Sequence, residues 1–304
     1  MSLVASRTGF IAGIMAASNA FLSNLFNVAG KVVVVTGGSR GIGLMIAQGF
    51  VCAGATVYIT SRKQAVCDKA AASLNAQGPG SCVGFAADVS TQSGRDALVE
   101  FVGSKESKIH CLVNNAGCNW VRRPALHLAL APQPDSPLPQ GEELETFPEA
   151  AWDKVLALNL KAVFYVTRGF LPLLEASASH ECPASVINIG SIDGIQTPAL
   201  NTFSYGSSKA AVHHLSKTLA HHLAPRHITV NAVAPGSFQS KMMAATLEAV
   251  GDMIVEQNPM KRIGKPSDMA GVAIWLASPA GSYVNGALIA VDGGAVVAPA
   301  GAKL

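Results

Sequence analysis

A tyrosine and a lysine stand four residues apart, Tyr205 and Lys209, in the stretch "SYGSSKAAVHHL" spanning residues 204–215. The apolar spacing that follows them is helical, and side chains at i and i+4 share a helix face. A phenol and an ammonium on one face suggest proton chemistry. A free phenol titrates at about pH 10, so acting as a base near neutrality requires a fall of about three units, roughly 4 kcal/mol. A cation one turn away favours the ionised phenol and supplies part of that shift. Taken alone, the pair is also what chance produces from two common residues, so its weight depends on the elements around it.

Those elements begin with "KVVVVTGG", a short β-branched run from Lys31 that ends in glycines, as a buried strand does. "TGGSRGIG", residues 36–43, closes that strand and opens a helical segment ending near Gly54. Glycines at such a junction allow a tight turn and close approach of the backbone to a pyrophosphate, while the helix N-terminus offers free N–H groups and a positive dipole end. The second strand, "ATVYITSR", ends without the acidic residue that would accept from an NAD ribose; Thr60, Ser61, Arg62 and Lys63 stand there, and Arg40 lies inside the glycine turn. Guanidinium groups pair well with phosphate, so this end favours the 2′-phosphate of NADP(H), unless Arg62 and Lys63 only cap a surface turn.

Further on, "SCVGFAADVS", "HCLVNNAG", "ASVINIGS" and "ITVNAVAPG" read as strands separated by helical stretches. Strands alternating with helices imply βαβ units and a parallel sheet. The expected fold is α/β: a single Rossmann-like, doubly wound parallel sheet with helices on both faces. A composition of 49% apolar and 13% charged residues, against a usual quarter or so charged, agrees with a large core. Residues 27–304 are expected to form one dinucleotide-binding catalytic domain, preceded by an N-terminal extension over 1–26. An inserted loop is expected at about 118–150, with four prolines between 131 and 140, either a solvated excursion or a flap over the substrate mouth.

A net charge of +3 without a dense basic run makes nucleic acid a poor partner. The six cysteines and eight histidines show no metal-ligand spacing, so no metal is expected, and the cysteines read as reduced thiols. His213–His214 and His221–His222 read as helix-surface or subunit-contact residues. The first 30 residues have no acidic residue, and polar residues interrupt their apolar stripe. A spanning helix needs about 20 mostly apolar residues, so no integral membrane association is expected. A cytoplasmic protein is the first reading; a mitochondrial presequence is the alternative.

"TGGSRGIG", "NNAG" at 114–117, Asn159 in "ALNLK", Ser191 in "INIGS", "YGSSK" at 205–209 and "APG" at 234–236 occur in the order of the short-chain dehydrogenase/reductase family, which the chain resembles over roughly 27–296. Within it the chain looks closest to the β-ketoacyl reductases, including the rhamnolipid-pathway type. The resemblance implies that Tyr205 acts as general acid toward a carbonyl and as base in the reverse direction. It implies that Ser191 holds the substrate oxygen, and that Lys209 reaches both Tyr205 and the nicotinamide ribose. Asn159 would support a water that passes protons to Lys209.

The same resemblance implies cofactor contacts at Gly37, Ser39, Arg40, Gly41, Ile42, Gly43, Ser61, Arg62, Asp88, Val89, Asn115, Tyr205, Lys209, Pro235, Gly236 and Ser240. Asp88 would serve the adenine, Asn115 would steady the sheet and the cofactor face, and Ser240 replaces the threonine common there. Asp193 departs from the nearer relatives; it either charges the substrate mouth or is a solvated turn residue. Residues 237–260 are expected to form mobile lid helices, with core packing the alternative.

The implied function is NADPH-dependent reduction of a ketone, possibly a 3-oxoacyl thioester. The alternatives are an NADP-dependent alcohol, polyol or sugar dehydrogenase and, of another class, a catalytically silent nucleotide-sensing protein. Small-molecule carbonyls or alcohols are the expected partners. The helix "HHLSKTLAHHLA" and the segment "ALIAVDGG" resemble family pairing surfaces, implying a homodimer or homotetramer.

Overall fold

The computed structural model describes residues 21, 23–120, 143–197 and 201–298. Seven parallel strands form one sheet: β1 Val32–Thr36, β2 Thr56–Ser61, β3 Ser81–Ala86, β4 Cys111–Asn114, β5 Ala184–Ile189, β6 Ile228–Pro235 and β7 Leu288–Val291. Their spatial order is β3-β2-β1-β4-β5-β6-β7. The helices between them are α1 Gly41–Cys52, α2 Gln64–Asn75, α3 Gln92–Gly103, α4 Glu149–Leu156, α5 Ala162–Glu175, α6 Phe203–Leu223, α7 Ala244–Gln257 and α8 Pro266–Ala277. A π-helical turn, Ala157–Lys161, joins α4 to α5.

β1 explains why the sheet needs cover on both sides. All five of its residues are buried, as in strands that face helices above and below. Val33 and Val35 join Phe50 of α1, Leu74 of α2 and Met269 of α8 in one core cluster. Val32 and Val34 join Leu98 of α3, Phe170 of α5 and Leu223 of α6 in the other. The alternation of side chains along a strand produces the two clusters, and burying one phenylalanine such as Phe50 is worth about 1.5–3 kcal/mol. The chain is thus the expected doubly wound α/β fold.

The register aligns the C-terminal ends of the strands. Thr36 pairs with Thr60, Ser61 with Ala86, Asn114 with Asn188 and Pro235 with Val291. From β1 the chain steps outward to β2 and β3, then returns to add β4 on the other side of β1. Such a switch point opens a crevice beyond the strand ends, where open α/β sheets bind ligands.

The segment 237–260 carries two helical pieces joined across a kink. It contains α7, broken at Val250 (φ −141°, ψ 23°), and Phe238, 2% exposed and therefore core. The expected extension over 1–26 lies mostly outside the described residues, as does the centre of the 118–150 insertion; the end of that insertion, Glu149 onward, is helix α4. Among the described residues no helix is long and apolar enough to cross a membrane. Nor is any group of three or more His, Cys, Asp or Glu placed to hold a metal ion. All six cysteines are free.

Candidate active site

The turn after β1 is built for close approach. Gly41 adopts φ +54°, a left-handed conformation that costs glycine little, and a Cβ there would lie 3.3 Å from the Ser240 Cβ. At Gly43 a Cβ would fall 2.4 Å from Asn115 Nδ2 and 2.6 Å from the Gly37 oxygen, so only glycine lets α1 start here. Asn115 Nδ2 donates to the carbonyls of Thr36 (2.9 Å) and Gly37 (3.2 Å). Thr36 Oγ1 accepts the N–H groups of Asn115 and Ala116, both at 3.0 Å. The ends of β1 and β4 are thereby tied together beneath the turn.

No side chain caps the N-terminus of α1, and its first turn holds no acid, leaving the positive end of the helix dipole for an anion. Ser39 is buried, Ile42 packs on the core, and Arg40 points into solvent. Arg62, just past β2, is also exposed. Neither guanidinium has an ion-pair partner among the described residues. The Ser61 hydroxyl lies 3.1 Å from the Cys67 sulfur, so the two arginines are the freer anion ligands. A dinucleotide carrying a 2′-phosphate fits this cradle: a glycine-only approach, an open helix N-terminus and two unpaired cations.

Beyond β3, one Asp88 oxygen accepts from the Ser90 N–H (3.0 Å) and hydroxyl (2.6 Å). The sequence did not point to Arg95, yet it organises this turn. Its buried guanidinium donates to the carbonyls of Val89 (3.0 Å) and Ser90 (2.9 Å) and lies 5.3 Å from the Tyr165 ring centroid. A charge followed by ordinary helix residues gives no sequence signal for this. Gly236 follows Pro235 at the end of β6, and a Cβ on it would meet Asp292 at 2.8 Å. Ser240 Oγ accepts the Met243 N–H at 3.2 Å.

On the other side, α6 begins two residues before Tyr205 and runs back along the sheet. Lys209, 4% exposed, donates from Nζ to the Ile189 carbonyl at 2.8 Å and sits 5.5 Å from the Tyr205 ring centroid. Ser191 lies two residues beyond Ile189, buried, its Oγ accepting the Asp193 N–H at 3.1 Å. Asn159, 1% exposed, occupies the π-helical turn. Its Oδ1 accepts the Cys118 N–H (2.8 Å), and its Nδ2 donates to the Cys118 carbonyl (2.9 Å) and to Ser208 Oγ (3.0 Å). Ser208 donates in turn to the Tyr205 carbonyl at 2.7 Å. A Cβ on Gly117 would lie 3.3 Å from Asn159 Oδ1 and 3.5 Å from Lys209 Nζ. All four expected catalytic residues therefore meet at one strand edge, although the amide of Asn159 spends its bonds on Cys118 and Ser208.

The electrostatics correct one expectation. Burial pushes the Tyr205 phenol up to about 12; the Ser191 hydroxyl opposes this, while Asp193 and Cys118 add to it. Burial outweighs the lowering of the phenol that the Lys209 spacing suggests. Burial also brings the ammonium itself down to about 8, partly offset by Cys118 and Asp193. Desolvation outweighs the single favourable charge pair at this depth. Asp193, half-buried beside this group, has its carboxyl raised by burial first, against the pull of Lys209, so it is a turn residue facing the site rather than a freely solvated one. His213 is corrected too: it is buried, at 5% exposed, whereas His214 faces solvent.

The family model described as enoyl-(acyl carrier protein) reductase matches residues 37–296. The chain is 42% identical over 275 residues to the rhamnolipids biosynthesis 3-oxoacyl-[acyl-carrier-protein] reductase of Pseudomonas aeruginosa, covering 88% of this chain and 97% of that protein. It is 34% identical over 277 residues to the galactitol 2-dehydrogenase (L-tagatose-forming) of Cereibacter sphaeroides, covering 90% and 98%. Among solved structures, the Pseudomonas aeruginosa RhlG/NADP active-site complex superposes with a TM-score of 0.79 at 41% identity, covering 90% of this chain and 99% of that one.

Proposed function

The chain belongs to the short-chain dehydrogenase/reductase family, and on that premise we propose that it is an NADPH-dependent carbonyl reductase acting on a ketone, with a 3-oxoacyl thioester as the first candidate substrate. The observation that carries this reading is the convergence of Ser191, Tyr205 and Lys209 at the strand ends, with Lys209 Nζ 5.5 Å from the Tyr205 ring centroid. The 42% identity to a 3-oxoacyl-[acyl-carrier-protein] reductase supports the substrate class.

When bound, NADPH supplies the hydride that reaches the carbonyl carbon. Ser191 donates a hydrogen bond to the carbonyl oxygen and turns it toward Tyr205. Tyr205 then gives its phenolic proton to that oxygen as negative charge grows on it. A phenol held at about 12 is fully protonated at neutral pH, the form that reduction needs. General acid catalysis of this kind contributes about 10²–10⁴-fold. Lys209 would hold a ribose hydroxyl of the bound cofactor, and Asn159 fixes the start of α6 through Ser208. Arg40 and Arg62 would hold the 2′-phosphate.

A second reading rests on Asp193. A half-buried carboxyl beside Tyr205 and Lys209 suits a hydroxyl-bearing substrate, in line with the 34% identical galactitol dehydrogenase. Mixing the protein with NADPH and a panel of ketones, β-ketoacyl thioesters and keto sugars, and following the near-ultraviolet absorbance of the nicotinamide, decides between them. Oxidation of NADPH by a thioester supports the first reading, and by a keto sugar the second. Tight NADPH binding with no turnover returns the chain to a nucleotide-sensing role. We further propose a homodimer or homotetramer in a reducing, cytoplasmic setting, on the strength of exposed His214, His221 and His222 along α6 and the free cysteines; light scattering after gel filtration reads the assembly directly.

A further inference from the structure

His213 lies on the inner side of α6, one turn beyond Lys209. Its ring fills a slot left by two glycines. A Cβ at Gly190 would come within 2.0 Å of His213 Nε2, and one at Gly194 within 2.8 Å of its Cε1. These glycines bracket Ser191, whose backbone N–H donates to His213 Nε2 at 3.4 Å. Gly194 also rests directly on α6, since a Cβ there would lie 2.6 Å from Ala210 N and from the Lys209 carbonyl carbon. The turn that carries Ser191 is thus docked on the helix that carries Tyr205, with the imidazole as the polar part of the joint.

An imidazole that accepts through Nε2 in its neutral form carries its proton on Nδ1. Here Nδ1 is buried without a hydrogen-bond partner. A leucine in this slot could not accept the Ser191 N–H, so packing alone gives no reason for histidine. Burial, only partly offset by the Gly194 backbone, brings the ring down to about 4, so it is neutral and able to accept at physiological pH.

We infer that His213 is a positioning residue: its ring accepts the Ser191 N–H from within α6, fixing the Ser191 backbone and hence the aim of the Ser191 hydroxyl toward the oxygen that Tyr205 protonates. The inference rests on the reductase reading above. In His213→Leu, kcat for the best ketone of the panel should fall by about 10-fold to 100-fold, since a misplacement on the order of 1 Å costs up to about 10²-fold, while NADPH affinity by fluorescence titration stays unchanged. His213→Gln, whose side-chain oxygen can accept, should recover most of the loss. Nitrogen-15 histidine spectra of the unaltered protein should show one ring, absent from His213→Gln, that is neutral near pH 7 with its proton on Nδ1. Unchanged kcat in His213→Leu, equal losses in the two variants, or an Nε2-protonated ring in the unaltered protein overturns the inference. The spectrum decides it even if His213→Leu does not fold. An unaltered protein that reduces no ketone defeats the reductase reading instead, and the two failures are distinct.

Discussion

On the β1–β2 side of the cleft the charges stand in solvent: Arg40 and Arg62 are exposed, and a helix N-terminus opens beside them without a cap. On the β5–α6 side the ionisable groups are withdrawn from water. Tyr205 is held up at about 12, Lys209 down at about 8 and His213 down at about 4, each by burial first. A guanidinium that grips phosphate must be charged at all times, and exposure preserves that charge at little cost. A group that hands over a proton must keep it until the acceptor arrives, and desolvation does this by disfavouring the charged phenolate. On the proposed function, one half of the cleft recognises with permanent charge, and the other reacts with suppressed charge.

The largest expected effect breaks the reactive half alone. Tyr205→Phe should lower kcat by about 10²–10⁴-fold and leave NADPH binding intact, checked by stopped-flow turnover beside fluorescence titration; equal losses in both would mean that the two halves are not separable. Arg62→Asp tests the recognising half. Removing a charge-assisted contact worth about 1.5–3 kcal/mol should weaken NADPH by about 10-fold to 100-fold, with NADH affected far less and kcat at saturation preserved.

Asn159→Leu should leave the Cys118 N–H and carbonyl unpaired and cost about 1–3 kcal/mol of stability, read from the urea midpoint. The matching change on the recognising side, Asn115→Leu, should disturb cofactor affinity as well, because Asn115 bonds the glycine turn itself.

The last effect is one of pH. Lys209 titrates at about 8 in the fold and near its ordinary 10.5 when unfolded. Between those values the unfolded chain binds the extra proton, so this lysine's contribution to stability rises with pH across that window. Below it the full cost of burying the ammonium applies. Denaturation of Lys209→Met across the same window should show a flatter pH dependence than the unaltered chain.

What was legible in the sequence was local. The glycines at 37, 41 and 43 and the Tyr205–Lys209 pair lie within one turn or one helix face, where spacing alone sets geometry. The buried strands declared themselves through β-branched runs such as "VVVV". Arg95, the break in α7 at Val250 and the core position of Phe238 were not legible, because each depends on what a distant segment places opposite it. His213 and His214 are adjacent and identical, yet one faces solvent and the other the turn behind Ser191.

The sequence by itself thus determined the order of strands and helices, the glycine turn, the absence of an acid after β2 and the Tyr205–Lys209 spacing, because these are written in residue type and short-range periodicity. Only the tertiary structure decided which way the ionisable groups lean. Desolvation sums over neighbours from β4, β5, α6 and the turn after Ser191. No spacing along one helix reports how many of them exclude water.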